Sequence, residues 1–330
     1  MSCRRNARID PLVRALCGLA LLVCGCSPDA PTERNITVTA WDTVWQTSRE
    51  LMDSLIPAPG TLIYNDGTLF VVERSTPGIV ALDAETGAYR WKAGRRGAGP
   101  EEFAGIAAAY PERDGGLGVI DVQNRRIGRL SAGGGFAWSF TTGNLGQQPN
   151  QACRLGHDRL LVADVFRPRL IVSDTTGSPI GSHQALWSDL ENADWESRQV
   201  TVRGSGDATR CLVALSTGRG FAVLSPDADP VVSPYIEPFE PYRVGPRASE
   251  GEMTYWATYQ AAILDDTVSI LFSGRTPEKE RLIDRYSATS GRYLETLLLP
   301  HKASRFTAGD GLVYVLDTSR TLIVALRPRR

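Results

Sequence analysis

Four acids stand at matching places along this chain, and their type and spacing suit chemistry. Glu73, Asp121, Asp164 and Asp317 each close a short apolar run, and each is followed six positions later by Ile79, Ile127, Leu170 or Ile323. Carboxylates brought to one point from several segments would bind a hard cation such as Ca2+. Each acid equally suits the turn it begins, where a carboxylate accepts backbone N–H groups. Arginines crowd the same turns: Arg74, Arg125, Arg126, Arg167, Arg169, Arg275 and Arg320. Guanidinium forks grip carboxylate, phosphate or sulfate through paired hydrogen bonds. Arg126, Arg167, Arg275 and Arg320 are therefore candidate anion contacts, with solvated loop arginines as the plainer reading. The stretch 234–259 adds Tyr235, Phe239, Tyr242, Tyr255, Trp256 and Tyr259. Aromatics of this density serve recognition or simple packing equally well, and Tyr242 and Trp256 are taken as candidate ligand contacts.

Other chemistry is thinly provided. His157, His183 and His301 are the only histidines, and none stands at metal-ligand spacing from another. His157 follows Cys153 by four residues, but no second such pair completes a zinc site. There is no nucleophile elbow. The glycines of 94–103 lack the Gly-Lys-Ser/Thr ending of a phosphate loop and run from one strand to another, so they read as a connection needing positive φ. No catalytic residue is assigned.

The elements that must position these residues are strands. From Ile36 onward the pattern is short apolar runs broken by Gly, Asn, Asp and Pro, with only Trp41–Leu55 and Gln184–Arg198 arguable as helices. The pattern repeats around six anchors, Glu73, Asp121, Asp164, Ser216, Ser273 and Asp317, spaced by 48, 43, 52, 57 and 44 residues. That spacing suits one four-stranded antiparallel sheet per repeat. In the first copy the strands are Thr61–Tyr64, Thr68–Glu73, Ile79–Asp83 and Ala88–Ala93, with Asn65-Asp66-Gly67 and Ala84-Glu85-Thr86-Gly87 as turns. The last copy lacks a fourth strand, while Ile36–Ala40 is a strand belonging to no copy. Placing that strand in the last sheet closes a ring and removes exposed edges. The expected fold is all-β: a six-bladed β-propeller over 36–330, its N-terminal strand closing the last blade.

Two stretches carry a family resemblance. Asp121-Val122-Gln123-Asn124-Arg125-Arg126-Ile127 is similar to the acid, asparagine, arginine and isoleucine pattern of NHL repeats. Gly94-Arg95-Arg96-Gly97-Ala98-Gly99-Pro100-Glu101-Glu102-Phe103 is similar to a segment between blades in bacterial six-bladed propeller lipoproteins of the NHL and TolB-like superfamily. A third stretch, Ala81 to Trp91, resembles the tryptophan-docking motif of quinoprotein propellers and the related outer-membrane assembly lipoprotein. It occurs once, and reads as a hairpin turn with a packing tryptophan.

The first 26 residues agree with that resemblance. Arg4, Arg5, Arg8 and Arg14 precede an apolar stretch, Ala15–Val23, too short to span a bilayer. Val23-Cys24-Gly25-Cys26 resembles the lipobox of bacterial lipoproteins. Residues 1–25 are then a signal peptide, Cys26 is the lipidated residue and 26–35 form a tether. The resemblance implies a cell-envelope protein held to a membrane by its lipid, on the periplasmic side of the outer membrane. In that compartment Cys153 and Cys211 could pair or stay as buried thiols.

Lys and Arg total 36 against 37 Asp and Glu, a formal net charge of −1. No block of like charge stands out, which argues against a dedicated nucleic-acid partner. The functional expectation is a non-enzymatic propeller that takes a protein or small ligand on the face holding the anchor acids, with no cofactor. Resemblance to propeller lactonases supplies an alternative, a metal-dependent hydrolase or lyase with Glu73, Asp121, Asp164 and Asp317 holding calcium. A third reading is an outer-membrane assembly scaffold.

Overall fold

The computed structural model describes residues 33–146, 148–164, 170–183, 200–216, 220–236, 258–274 and 276–329. It is a six-bladed β-propeller. Each blade is a four-stranded antiparallel sheet, strands a to d running from the central channel outward. Blade 1 is Pro59–Asn65, Thr68–Glu73, Gly78–Asp83 and Tyr89–Ala93. Blade 2 is Ile106–Pro111, Leu117–Asp121, Arg126–Leu130 and Phe136–Thr141, and blade 3 is Pro149–Leu155, Arg159–Asp164, Leu170–Asp174 and Pro179–Ser182. Blade 4 is Val200–Gly204, Cys211–Leu215, Gly220–Ser225 and Ala228–Pro234, and blade 5 is Thr258–Leu264, Thr267–Phe272, Leu282–Ser287 and Tyr293–Leu298. Blade 6 takes its inner three strands, Ala303–Gly309, Leu312–Asp317 and Ile323–Pro328, from the end of the chain.

The six-residue offset has a simple cause. The apolar residue six places after the acid pairs across the b–c hairpin with the residue just before the acid: Val72 with Ile79, Ile120 with Ile127, Ala163 with Leu170, and Leu316 with Ile323. The period-2 alternation of strand b then splits its side chains between two neighbours. Leu69 and Val71 join the core shared with blade 6, while Phe70 and Val72 join the core shared with blade 2. Six apolar clusters result, one at each junction around the ring. Strand b is buried on both faces, which is why it reads as an unbroken apolar run, whereas strand d is largely exposed.

Ring closure differs from the sequence expectation by one strand. β1 (Ile36–Val38) does not close the last blade; it adds in parallel to the outer strand of blade 5. The closing strand is β2 (Trp41–Gln46), antiparallel to Ile323–Pro328 as strand d of blade 6. Among the described residues the one α-helix is α1 (Arg49–Leu55), capped by the Ser48 hydroxyl, which accepts from the Leu51 N–H. The other helix expectation, Gln184–Arg198, lies outside the described residues. Docking begins before Ile36: Arg34 makes a two-pronged pair with Asp284 in blade 5 at 2.9 Å and stacks on Phe272.

The tryptophan of the Ala81–Trp91 stretch reaches the next blade. Its Nε1 donates to the Ala132 carbonyl at 3.0 Å, and its ring lies against Gly134. Trp45 repeats the contact from blade 6 to blade 1, donating to Ala84 and covering Gly87. Phe140 covers Gly177, and Ser233 donates to the Gly291 carbonyl at 2.7 Å. These four glycines close c–d turns with φ from 70° to 88°, a left-handed conformation in which a Cβ would also strike the docked side chain. Docking of strand d onto the next turn is thus a recurring device, although the tryptophan itself recurs only in part. Cys153 in strand a of blade 3 and Cys211 in strand b of blade 4 form a disulfide with a Cα–Cα distance of 5.9 Å.

Candidate functional site

The anchor acids lie where strand b meets the b–c turn, and each turns toward its own blade. Glu73 is fully buried and accepts from the Ala58 N–H at 2.8 Å and from the Ser75 N–H and hydroxyl at 2.6 Å. Asp121, also fully buried, accepts from the backbone of Ala104, Gly105 and Asn124 and from the Asn124 amide at 2.6 Å. Asp164 accepts from the Gln148 N–H at 3.5 Å. Asp317 accepts from the Thr321 and Leu322 N–H groups and from Ser319, and these bonds hold its carboxyl below the usual range against the opposing effect of burial. In blades 1 and 2 the carboxylate joins its own turn to the backbone just before strand a, and in blade 3 Asp164 reaches the same backbone position. Among the described residues no three His, Cys, Asp or Glu side chains come together as a metal would require. The donor set does not fit a shared channel cation.

Arg126 is equally committed. Its guanidinium donates to the carbonyls of Ala98, Gly99 and Glu102 at 3.2, 3.0 and 2.6 Å, stacks 3.6 Å from the Trp138 ring centroid, and lies 3.7 Å from Asp121. Trp138 donates to Pro100, and Phe103 beneath it meets Phe136 edge-on at 5.1 Å. The Gly94–Phe103 connection is therefore pinned over an aromatic cluster between blades 1 and 2, with Arg126 as the pin. Arg126→Ala is expected to cost about 2–3 kcal/mol, because it removes three charge-assisted bonds and strips a buried carboxylate of its nearby cation. Denaturant unfolding measures the loss. Limited proteolysis within 94–103 should accelerate with it; unchanged cleavage would show that the loop holds without Arg126.

Arg320 is exposed on the b–c turn of blade 6, in the left-handed region at φ 60°. It lies near enough to Arg74 to lower that group's pKa, second to the effect of Arg74's own burial. Arg167, Arg275, Tyr242 and Trp256 lie outside the described residues, as does Cys26.

The structure adds residues that the turn-by-turn reading missed. Irregular pairing just after the first residue of strand a in blades 3, 5 and 6 precedes Gln151, Gln260 and Arg305. Arg203 comes from lower on strand a of blade 4 and extends up the channel to the two glutamines. It donates to Gln151 Oε1 at 3.1 Å, to Gln260 Oε1 at 3.4 Å and to its neighbour's carbonyl, Val202, at 2.8 Å. Burial, followed by the charge of Arg305, pushes the Arg203 pKa down to about 10. Arg305 donates to the Gly60 carbonyl at 2.8 Å, and Arg74 packs against Gly60 from above. An arginine inside an otherwise uncharged strand, Val200-Thr201-Val202-Arg203-Gly204, was the available signal.

These features define the class: a six-bladed propeller whose anchor acids serve its turns and whose channel carries arginines. No known family model matches the chain, and no curated protein matches it. Among solved structures it is similar to a Bacteroides fragilis protein described as exported, with 11% identity, a TM-score of 0.57, and coverage of 91% of this chain and 98% of that one. It is also similar to a catalytically inactive virginiamycin B lyase from Staphylococcus aureus with quinupristin, with 10% identity, a TM-score of 0.50, and coverage of 82% and 80%. At these identities the likeness is one of fold.

Proposed function

We propose that this chain is a lipid-anchored propeller of the bacterial cell envelope that binds a partner or small ligand and performs no catalysis. The observation that carries binding over catalysis is the commitment of the four anchor acids. Each is turned into its own blade's backbone, whereas the metal-dependent hydrolase or lyase needs them at one point. The compartment is supported by the Cys153–Cys211 bridge, since disulfides persist outside the reducing cytoplasm. Among the described residues no helix is long and apolar enough to cross a membrane. Attachment in this reading falls to the lipid on Cys26, with the outer membrane's periplasmic face as the site. The binding face in this reading is the one holding the b–c turns, with Tyr242 and Trp256 as further candidate contacts from outside the described residues. The solved neighbours contribute the fold to this reading and nothing further.

The test is metabolic labelling of the full chain with radioactive palmitate in a bacterial host, followed by envelope fractionation. Label in the membrane fraction, lost in Cys26→Ser, is the expected result; absence of label would overturn the anchor. Calcium added to the detergent-solubilised chain should leave its melting temperature unchanged. A rise that disappears in Asp121→Asn would instead support the hydrolase.

A further inference from the structure

We infer that the channel holds a binding site for a small oxyanion, a carboxylate or phosphate group, gripped by Arg203 with Arg305 beside it and Arg74 at the mouth. The inference is independent of the lipid anchor and deepens the binding reading above, since Arg74 and Arg320 stand on b–c turns of the face proposed there.

Arg203 is the central fact. It is half-buried, and it forms part of the wall of a small cavity in the channel. Its acceptors are two neutral amides and one backbone carbonyl. No described carboxylate lies within ion-pair distance of it. A buried cation is ordinarily paired, because desolvation costs several kcal/mol per ion. Here the charge influencing it is a second arginine, Arg305, of the same sign.

The cations continue outward. Arg305 reaches the Gly60 carbonyl, Arg74 lies across Gly60, and Arg320 is close enough to influence Arg74. Gly60 has a structural reason here: a Cβ would sit 2.4 Å from Arg74 Nε, so a larger residue would displace that arginine from the mouth. The row passes from solvent to the channel interior along blades 6, 1 and 4. Such a row raises the local concentration of anions and offers fork-shaped donors at its inner end. Gln151 fits the same chemistry. With its carbonyl oxygen accepting from Arg203, its own NH2 group is a further donor beside the guanidinium.

Two other candidates carry less. A cavity between blades 5 and 6, lined by Ile283, Leu297, Phe306 and Val313, has nothing to say what fills it. The buried Glu112–Arg154 pair is already satisfied by its own two bonds.

The experiment uses the full chain in detergent, at constant ionic strength made up with sodium chloride. Inorganic phosphate and, separately, succinate are titrated while the melting temperature and heat of binding are followed. A saturable rise in melting temperature is expected with at least one of them. In Arg203→Gln the affinity should fall about ten- to hundredfold, the loss of charge-assisted bonds to one group. Arg305→Gln serves as the second variant should Arg203→Gln fail to fold. Arg292→Gln, on an exposed turn of blade 5, should respond as the unmodified chain does. A response to phosphate alone assigns a phosphate group, and a response to succinate alone assigns a carboxylate; both support the site. Equal responses in Arg203→Gln and the unmodified chain, or no saturable response to either anion, overturn it.

Discussion

Replacing Trp45 with alanine is expected to cost about 3–5 kcal/mol of folding stability, the range for deleting a buried tryptophan. Trp45 sits on the closing strand, 9% exposed, at the junction where blade 6 meets blade 1. Its Nε1 donates to the Ala84 carbonyl at 2.9 Å, and its ring is tilted against Tyr314 with centroids 5.9 Å apart. The same ring covers the left-handed Gly87 of the neighbouring turn. One side chain thus supplies packing to two blades and satisfies a carbonyl on one of them. Trp45→Phe should keep most of the packing and lose chiefly the hydrogen bond, costing roughly 1–2 kcal/mol. Denaturant unfolding of the two variants beside the unmodified chain tests both figures. A Trp45→Ala loss below about 1 kcal/mol would mean that the closing strand is held by its backbone ladder alone.

Removing the Cys153–Cys211 bridge should cost about 4 kcal/mol, from the chain entropy released when a loop of this length is opened. The two residues are 58 apart in sequence, and both are fully buried in the cluster between blades 3 and 4. The bridge joins strand a of one blade to strand b of the next, adding a covalent link to a junction held by apolar contact and a few hydrogen bonds such as Arg203 to Gln151. The double variant Cys153→Ala/Cys211→Ala isolates the cross-link, since a single change would leave an unpaired thiol. Its unfolding midpoint should fall to that of the reduced unmodified chain. Thiol counting under denaturing, non-reducing conditions checks the bridge directly, and free thiols titrating at both positions would refute it.

Much of the fold is legible because its signals are local. The acid and its apolar partner six residues on are joined by one hairpin, so the b–c pair of each blade can be found without knowing the rest. Closure is different. Ile36–Ala40 and Trp41–Gln46 both have the residues of a strand, and nothing within either run says which one meets Ile323–Pro328. The fit of Trp45 against a turn in blade 1 decides, and that turn lies about 40 residues away and in another sheet. The site shows the same division. The position of Arg126 beside an acid is visible in the repeat, but its three carbonyl partners belong to a connection that only the ring brings over it. Arg203 and Arg305 were missed because attention to turns passes over the inner strands. Their meeting depends on how far one side chain climbs the channel from blade 4, which no spacing encodes.

The pairing of Trp41–Gln46 with Ile323–Pro328 also sets an order of events. The strand that completes the ring is made well before its partner. Until that partner exists, blade 6 cannot form and the flanks of blades 1 and 5 lack their cover. The contact is among the most distant in the chain, so its loop entropy must be met before any of its packing is gained. Closure therefore waits until that partner strand has been made. The ring thus stays open through most of synthesis and locks only when Ile323–Pro328 reaches the waiting strand.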